Sequence, residues 1–550
     1  MNKVLQIHPI DNVAVALNDL RKGDTVQLNG QAIHLVENIP AKHKFALQDM
    51  HADDAVTMYG VIVGRAQNFI LKGGLITTSN VHHAAGQYIV KENRSVGWQP
   101  PDVSRWQNRT FLGYHRADGS VGTANYWLVI PLVFCENRNL DVLREALLSD
   151  LGYARPQKYQ QQTQYLISLY ESGKSVADIL QANIEVQTLE PQQKQLFPNV
   201  DGIKFLTHDG GCGGTREDVE ALCGLLAGYI THPNVAGATV LSLGCQMAQI
   251  PILQKEILKR DSNFSKQVHY LEQQQIGTEE ALIQQALKRT FTGLMQANEC
   301  QRAPAPLHKL CLGLECGGSD GFSGISANPA VGYASDLLVA LGGSVILSEF
   351  PELCGVEQEL SDRCVNQATA ERFSNLMQAY SARAQLVGSG FDMNPSPGNI
   401  RDGLITDAMK SAGAAKKGGT SPIVAVLDYP EKVTQPGLNL LCTPGNDVES
   451  TTAEVGAGAN VVLFTTGLGT PTGNPVAPVI KIASNTALAQ RMPDIIDLDM
   501  GAIIEGQETI ETAGERIVEY VIKVASGEIT VSAVRHGQDD FIPWKRGVSL

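Results

Sequence analysis

A cysteine and three acidic residues fall within one stretch of the sequence, residues 309–355. Cys316 and Asp320 follow one apolar segment, and Glu349 and Glu352 follow a second. A thiolate is a good ligand for iron or zinc, and carboxylate oxygens bind harder cations such as Mn²⁺. The same groups can also transfer protons. These residue types therefore indicate a metal-binding or acid–base site.

The elements around these residues form the pattern of a βαβ unit. Residues 310–314 predict a strand, a Gly-rich loop and an amphipathic helix come next, and residues 344–347 predict a second strand. In parallel α/β units the carboxyl ends of the strands face the ligand crevice. We therefore expect the four polar residues to gather at one edge of a sheet.

Composition limits the classes of function. The chain has 550 residues, a net charge of −14, 43% hydrophobic and 18% charged residues, which indicates a globular protein of two to four domains. The negative charge argues against nucleic-acid binding, and no run approaches a membrane span. The first residues contain no apolar signal segment, so we expect a cytoplasmic protein whose ten cysteines are thiols, metal ligands or catalysts rather than disulfides.

The pattern of elements predicts an α/β fold in several units. Residues 1–92 contain short β-like runs separated by turns, which predicts a small all-β domain. Residues 93–112 predict a linker, and residues 113–308 an α/β domain with a helical insertion at 151–198. Residues 309–550 predict a C-terminal α/β domain. The near-continuous apolar strands of this two-part α/β body indicate largely parallel sheets.

Four cysteines share one local context. Cys135, Cys212, Cys245 and Cys316 each lie just beyond an apolar strand. If the strands are parallel, the four thiols share the carboxyl edge of a sheet, where they could bind iron, zinc or an iron–sulfur cluster. No CxxC spacing occurs among them, so buried structural thiols are the alternative.

Histidines and a lysine are the candidates for proton transfer. His208 lies in a Gly-rich loop just before Cys212, and could be a ligand, an acid–base group or simply a hydrogen-bonded side chain. His8 lies between the first two β-like runs, and His43 and Lys44 follow Ile39-Pro40. Polar surface turns are the alternative interpretation of these positions.

Two polar loops could bind a substrate. The segment NPSPGN contains Asn394 and Asn399, and its prolines restrict the backbone, as suits the recognition of polyol hydroxyls. The segment PGND contains Asn446 between a strand and a helix, where backbone N–H groups can hold an anion. A plain connector is the alternative for the first loop, and the second matches no nucleotide-binding fingerprint.

Blocks along nearly the whole chain resemble the altronate/galactarate dehydratase family, among them RADGSVGTAN, LECGGSDGFSGISANPAVG, NPSPGN, GLNLLCTPGND and FIPWKRGVSL. The resemblance implies an N-terminal SAF-type β-domain and conversion of D-altronate to 2-dehydro-3-deoxy-D-gluconate plus water. It implies Fe²⁺ or Mn²⁺ as cofactor, with an iron–sulfur cluster left open. The expected partner is a small sugar-acid substrate, and we expect a homodimer.

The resemblance also implies roles for individual residues. The implied catalytic residues are His8, His43, Lys44 and His208. The implied substrate-binding residues are Asp320, Asn394, Asn399 and Asn446, and the implied metal ligands are Cys135, Cys212, Cys245 and Cys316. The base that removes the proton next to the carboxylate stays open among the three histidines and Lys44. If His43 and Lys44 take part, the first domain must fold over the body.

The chain departs from the family pattern at four positions. Ala124, Ile400 and Leu468 stand where the family has cationic residues, and Gln246 stands where it has a glutamate. Galactarate or sulfolactate are therefore alternative substrates. A non-catalytic sugar-acid-binding relative and a structural protein with core cysteines are the other classes.

Overall fold

Short antiparallel strands make up the N-terminal unit, as expected for an all-β domain. The computed structural model describes residues 3–86, 88–89, 97–155, 158–184 and 194–549. The strands are β1 (Val4–Leu5), β2 (Val13–Ala16), β3 (Thr25–Leu28), β4 (Gln31–His34), β5 (Lys44–Ala46), β6 (Ala55–Met58), β7 (Val61–Ala66) and β8 (Val81–His82). They form the sheets β1-β2-β5, β3-β4 and β6-β7-β8. Asn29-Gly30 makes the two-residue turn between β3 and β4, with both φ angles positive, as a type I′ hairpin requires.

The second unit is built around four parallel strands. Its strands are β9 (Thr110–His115), β10 (Val121–Gly122), β11 (Tyr126–Pro131), β12 (Gly202–Phe205), β13 (Val235–Ser242), β14 (Gln267–Glu272) and β15 (Arg302–Pro306). Its helices are α1 (Asn137–Asp150), α2 (Lys158–Glu171), α3 (Val176–Gln181), α4 (Arg216–Thr231), α5 (Ile250–Arg260), α6 (Gln273–Ile276) and α7 (Glu279–Ala297). The parallel sheet has the order β12-β11-β13-β14.

Part of the predicted linker contributes to a separate antiparallel sheet. Strand β15 lies within residues 298–308 and pairs with β9, whose first residues belong to the predicted linker 93–112. The order of this sheet is β10-β9-β15. Helices α2 and α3 fall in the predicted helical insertion 151–198. Residues 93–96, 156–157 and 185–193 of these two predicted segments lie outside the described residues.

The C-terminal unit contains the largest sheet. Its strands are β16 (Cys311–Cys316), β17 (Ser344–Leu347), β18 (Ile423–Asp428), β19 (Gly437–Cys442), β20 (Val461–Thr466), β21 (Val479–Ala483) and β22 (Leu498–Asp499). Its helices are α8 (Ala327–Ala340), α9 (Glu357–Asp362), α10 (Gln367–Leu386), α11 (Pro397–Arg401), α12 (Asp407–Ala414), α13 (Asp447–Ala457), α14 (Thr486–Arg491), α15 (Gly501–Ile504), α16 (Ile510–Ala525) and α17 (Ser532–His536). The strands run parallel in the order β18-β19-β17-β16-β20-β21-β22.

The central strand of this sheet is β16, which lies between β17 and β20. All six of its residues are buried, as are all those of β19 and β20. Helices on both faces remove such strands from water, which explains their unbroken apolar sequences. The fold is therefore the predicted one, a small all-β domain followed by a two-part α/β body with largely parallel sheets.

Among the described residues, no helix is both long enough and apolar enough to cross a bilayer.

Candidate active site

A cavity of about 760 Å³ opens at the carboxyl edge of the seven-stranded sheet. The ends of four of its strands and the loops after them supply part of the wall: Cys316 at the end of β16, Glu352 after β17, Asp447 after β19 and Leu468 after β20. Open α/β sheets bind their ligands at this edge. The cavity therefore lies where the sequence pattern placed the polar strand ends.

Cys316, Glu349 and Glu352 form an acidic centre at the cavity, and Cys316 and Glu352 line it. One ligand atom from each lies within 4.8 Å of the others. The Cys316 Sγ atom is 3.5 Å from Glu349 Oε2 and 3.4 Å from Glu352 Oε2. All three side chains are buried. Cys316 ends β16, and Glu349 and Glu352 follow the neighbouring strand β17, so the βαβ topology itself brings the three together.

Two buried lysines neutralise part of this centre. Lys417 Nζ is 2.6 Å from Glu349 Oε2, and Lys410 Nζ is 2.6 Å from Glu352 Oε1. Burial alone would lower the pKa of Lys417, but the thiol of Cys316 and the carboxylate of Glu349 outweigh it and raise that pKa well above its ordinary value. Burial likewise opposes the charge of Glu352, yet Lys410 and Lys417 lower its pKa. Both lysines are therefore charged at neutral pH.

Acidic groups still outnumber the lysines. Glu315 and Glu454 lie beside the acidic centre, and Ser348 Oγ donates a 2.7 Å hydrogen bond to Glu454 Oε1. Burial raises the pKa of Glu315 well above normal and that of Glu454 to about 8. In the described part of the chain, Glu349 Oε1, Glu315 Oε1 and Glu454 Oε2 are buried without a hydrogen-bond partner. A surplus of buried acid with unpaired oxygens, next to a thiol, fits a divalent cation such as Fe²⁺ or Mn²⁺.

Asp447 is an acid of a different kind in the same cavity. It begins α13, and its pKa is raised to about 6, chiefly by burial and then by Glu349 and Glu352. The carboxylate lies against Gly317, where an added Cβ would come within 1.9 Å of Asp447 Oδ2. Glycine at 317 thus allows this carboxylate to approach the acidic centre.

The asparagines predicted to bind substrate all line the cavity. Asn394 Nδ2 donates to Glu352 Oε1 at 3.1 Å, and its Oδ1 accepts from Lys410 Nζ at 3.1 Å. Asn399 completes the capping box of α11, whose N-cap is Ser396, and donates from Nδ2 to Ser319 O at 2.7 Å. Asn446 caps α13, and its Oδ1 accepts from the backbone of that helix. Asn399 and Asn446 therefore also have structural roles.

Asp320 is fully buried and lies beneath the loop that follows β16. Its Oδ1 accepts hydrogen bonds from Ser323 and from Ser484 Oγ, and its Oδ2 accepts from Asn485 Nδ2 at 3.1 Å. Lys42 Nζ from the N-terminal unit is 3.0 Å from the same Oδ2. In this arrangement the carboxylate fastens the loop and anchors the N-terminal unit.

Two lysines of the N-terminal unit contact the body at residues 402–403. Lys42 Nζ also binds Asp402 Oδ1 at 2.8 Å, and Lys44 Nζ donates to Gly403 O at 2.7 Å. Lys44 is completely buried, and burial lowers its pKa to about 7. The half-buried His43 contacts Ala41 O, whereas His8 is exposed and packs against Gly60. None of Lys42, His43, Lys44 or His8 lines the cavity described above.

The four strand-end cysteines do not share one sheet edge, so this expectation was wrong. Cys135, Cys212 and Cys245 follow β11, β12 and β13 of the four-stranded sheet and are exposed, whereas Cys316 ends β16 of the seven-stranded sheet. Backbone hydrogen bonds join the three loops of the first group, from Phe134 N to Gly210 O and from Met247 N to Gly211 O. The sequence pattern could not assign strands to separate sheets.

His208 lies with Cys212 at a second cavity of about 510 Å³. Both ring nitrogens are hydrogen-bonded to backbone groups: Nε2 donates to Pro131 O at 2.9 Å, and Nδ1 accepts from Gly210 N at 3.1 Å. Burial lowers the pKa of His208, so the ring is neutral. The geometry holds the loop around Cys212 in place.

The C-terminal segment 541–549 runs between the two cavities. Trp544 and Lys545 line both of them. Trp544 stacks on Tyr380 with ring centroids 5.5 Å apart, and Arg546 Nη1 binds Asp428 Oδ2 at 3.1 Å. The FIPWKRGVSL block therefore belongs to the site, although its position in the sequence gives no sign of this.

Sequence patterns missed Lys410, Lys417 and Asp447. The two lysines lie on and after α12, in a segment that ends no strand, and Asp447 resembles an ordinary acidic residue in the first turn of a helix. The one available signal was the turn PGND after β19, which draws attention to its neighbour Asn446.

Comparison with known proteins covers nearly the whole chain. The family model for the altronate/galactarate dehydratase SAF domain matches residues 2–84, that for the D-galactarate dehydratase/altronate hydrolase second domain matches 113–298, and that for the D-galactarate/altronate dehydratase C-terminal domain matches 307–549.

The relatives of this chain are named for different substrates. An altronate dehydratase of Bacillus subtilis (strain 168) is 32% identical over 553 residues, covering 100% of both chains. A galactarate dehydratase (L-threo-forming) of Escherichia coli (strain K12) is 32% identical over 528 residues, covering 95% of this chain and 93% of its own. The beta subunit of a (2R)-sulfolactate sulfo-lyase of Chromohalobacter salexigens is 27% identical over 439 residues, covering 79% and 97%. On this evidence the chain is a hydro-lyase and belongs to the altronate/galactarate dehydratase family.

Proposed function

We propose that the protein removes water from D-altronate to form 2-dehydro-3-deoxy-D-gluconate, in the 760 Å³ cavity at the edge of the seven-stranded sheet. The observation that carries this proposal is the acidic centre of Cys316, Glu349 and Glu352 with its excess of buried acid. The cavity also presents Arg383, Lys545 and other cations to a substrate carboxylate. Full-length relatives named altronate dehydratase support the substrate.

The residues of the cavity suit a β-elimination. Asp447 is the base that takes the proton next to the substrate carboxylate, since its raised pKa lies near the working pH. The ammonium group of Lys410, held by Glu352 and Asn394, donates a proton to the departing hydroxyl. Cys316, Glu349 and Glu352 would hold Fe²⁺ or Mn²⁺, which would supply Lewis-acid stabilisation of negative charge on the substrate. Asp447 thus replaces the histidines and Lys44 as the proposed base.

A second metal site remains part of the proposal. Cys135, Cys212 and Cys245 supply three thiols from three adjacent strand ends, a donor set that suits an iron–sulfur cluster. A mononuclear ion at the acidic centre and a cluster at these thiols make different predictions for acid-labile sulfide.

Anaerobic purification followed by assay tests the function. We expect iron in the protein and 2-keto-3-deoxy acid from altronate. Iron that is lost in Cys316→Ser supports the acidic centre, whereas iron with sulfide that is lost in Cys212→Ser supports the cluster. Absence of turnover on altronate, galactarate and sulfolactate after metal loading would refute the dehydratase and leave a sugar-acid-binding role.

Two apolar residues at the cavity bear on which sugar acid is preferred. Leu468 lines the cavity where the family has a cation, and Ile400 lies in α11 beside the cavity residue Asn399. Galactarate has a second carboxylate, and a cavity with fewer cations holds that group less well. We therefore expect altronate to be preferred to galactarate in kcat/KM. The reverse order would make galactarate the substrate.

The acid limb of the pH profile should report Asp447. The carboxyl must lose its proton to act as a base, so kcat/KM should rise as the pH passes through about 6 and level off above it. Asp447→Asn should lower kcat/KM by about 10²- to 10⁴-fold and remove this limb. Glu449→Gln, a neighbour on α13 that does not line the cavity, is the matched control and should keep it. An unchanged limb in Asp447→Asn would exclude this base.

A further inference from the structure

A second group of metal-binding residue types lies where the N-terminal unit meets the body. His83 follows β8, Cys354 follows the 3-10 helix Phe350–Leu353, and Asp407 begins α12. One ligand atom from each lies within 4.8 Å of the other two. None of the three lines the cavity of the acidic centre. Three chain segments distant in sequence thus bring an imidazole, a thiol and a carboxylate together.

The buried carboxylate of Asp407 is a second observation that indicates a bound cation. Asp407 is 1% exposed, and in the described part of the chain its Oδ2 atom has no hydrogen-bond partner. Burial, and then the charge of Glu352, raise its pKa well above normal. An unsatisfied buried carboxylate oxygen is destabilising unless a proton or a cation binds it. The neighbouring thiol of Cys354 is half-buried, so a cation can enter from solvent.

The histidine of the group is available as a ligand. Burial lowers the pKa of His83, which keeps the ring neutral, the form that binds metals. Its Nδ1 accepts a long hydrogen bond of 3.3 Å from Ala408 N, beside Asp407. A cation at Nδ1 would replace this weak hydrogen bond and leave the helix N–H to water.

We propose that His83, Cys354 and Asp407 bind a divalent cation of borderline character, Zn²⁺ or Fe²⁺, with water as a fourth ligand. Nitrogen, sulfur and oxygen donors together favour these ions over Mg²⁺ or Ca²⁺. With metal–ligand bonds of about 2.0–2.3 Å, ligand atoms in a tetrahedral site lie roughly 3.3–3.8 Å apart. Small side-chain rotations therefore close the observed group around an ion.

This site would connect the N-terminal unit to the catalytic machinery without belonging to it. Cys354 comes two residues after Glu352, and Asp407 comes three residues before Lys410. A bound ion would therefore fasten together the two elements that carry the Glu352–Lys410 ion pair. The inference rests on the three side chains alone and holds whichever sugar acid is the substrate.

Cobalt binding tests the site independently of activity. The full-length protein is stripped of metal with a chelator and titrated anaerobically with Co²⁺, whose thiolate charge-transfer band reports a bound cysteine. We expect His83→Ala and Cys354→Ser each to bind one equivalent of Co²⁺ less than the wild type. The thiolate charge-transfer band should be weaker by the contribution of Cys354. Cys316→Ser should retain the contribution of Cys354 to the band, and this result separates the new site from the acidic centre. Elemental analysis of the untreated protein then distinguishes Zn²⁺ from Fe²⁺.

Matched variants guard against an indirect effect. The exposed neighbour His82 and the distant Cys300 are controls, and His82→Ala and Cys300→Ser should bind Co²⁺ like the wild type. Asp407→Asn preserves the side-chain shape and should lose the same equivalent with an unchanged circular dichroism spectrum. Equal Co²⁺ binding in wild type, His83→Ala and Cys354→Ser, or an equal loss in His82→Ala, would overturn the proposal.

Discussion

Replacing Glu352 by glutamine should reduce kcat/KM by about 10³-fold or more, whichever sugar acid is turned over. The Glu352 carboxylate lies against Cys316 Sγ and accepts a hydrogen bond from the ammonium group of Lys410. It also belongs to the proposed cation site. A neutral amide of the same shape removes the charge that orders these groups. Losses of this size are typical when one preorganised electrostatic group is removed from an active site. Steady-state kinetics on altronate measures the effect.

A loss of stability must be separated from this loss of activity. Glu352→Gln leaves Lys410 buried without its carboxylate, which costs about 3–5 kcal/mol in the free energy of unfolding. The double variant Glu352→Gln/Lys410→Met removes both charges, so urea unfolding should recover most of that stability while activity stays low. Glu359→Gln, in a partly exposed pair with Lys416, is the control and should change neither. Full activity in Glu352→Gln would remove Glu352 from the mechanism.

The sequence predicts the part of the site that depends on strand ends. Cys316, Glu349 and Glu352 were placed together because the βαβ pattern puts consecutive strand ends on one edge, and they form the acidic centre. Two of the strands were predicted closely, since 310–314 and 344–347 correspond to β16 (Cys311–Cys316) and β17 (Ser344–Leu347). Strong apolar periodicity decides these elements locally.

What the sequence misses depends on contacts between distant segments. Lys417 is 68 residues from Glu349, and Lys410 is 58 residues from Glu352. A lysine in a helix is usually solvated, so nothing local marks these two as buried counter-charges. The split of the four cysteines between two sheets has the same origin, because strand order within each sheet is set by long-range packing. The contact of Lys42 with Asp320 could not be predicted for that reason.

The proposed domain division rests on similar reasoning. We propose units at 1–92, 113–308 and 309–550, which the separate sheets and the three matched regions support. The antiparallel sheet of β9, β10 and β15 joins the first and last segments of the middle unit. Segments that look like linkers by composition can therefore close a domain.

Replacing Lys417 by methionine should lower the free energy of unfolding by about 3–5 kcal/mol at neutral pH. Lys417 is 1% exposed and lies 2.6 Å from Glu349, an equally buried carboxylate. Without this ammonium, Glu349 stays buried beside Glu315 and Cys316 and loses its paired cation. Urea unfolding of the metal-free protein measures the difference, so that a bound ion does not mask it.

The neighbouring lysine provides a matched control for this effect. Lys416 is one-third exposed and 3.5 Å from Glu359, so Lys416→Met should cost less than about 1 kcal/mol. The double variant Lys417→Met/Glu349→Gln should recover most of the loss because it removes the uncompensated charge. Equal effects of Lys416→Met and Lys417→Met would show that the buried pair contributes no more than a surface pair.

The backbone gives a reason to expect the lower end of this range, because relaxation of a strained residue offsets part of the loss. Glu349 has a φ of +60°, a left-handed conformation that costs a non-glycine residue on the order of 1–3 kcal/mol. Its carboxylate is held by Lys417 and by the N–H of Cys316 at 3.2 Å. Loss of Lys417 removes the stronger restraint on this strained residue, so the strand end can relax away from Cys316. We therefore expect Lys417→Met to weaken metal binding at the acidic centre as well as the fold.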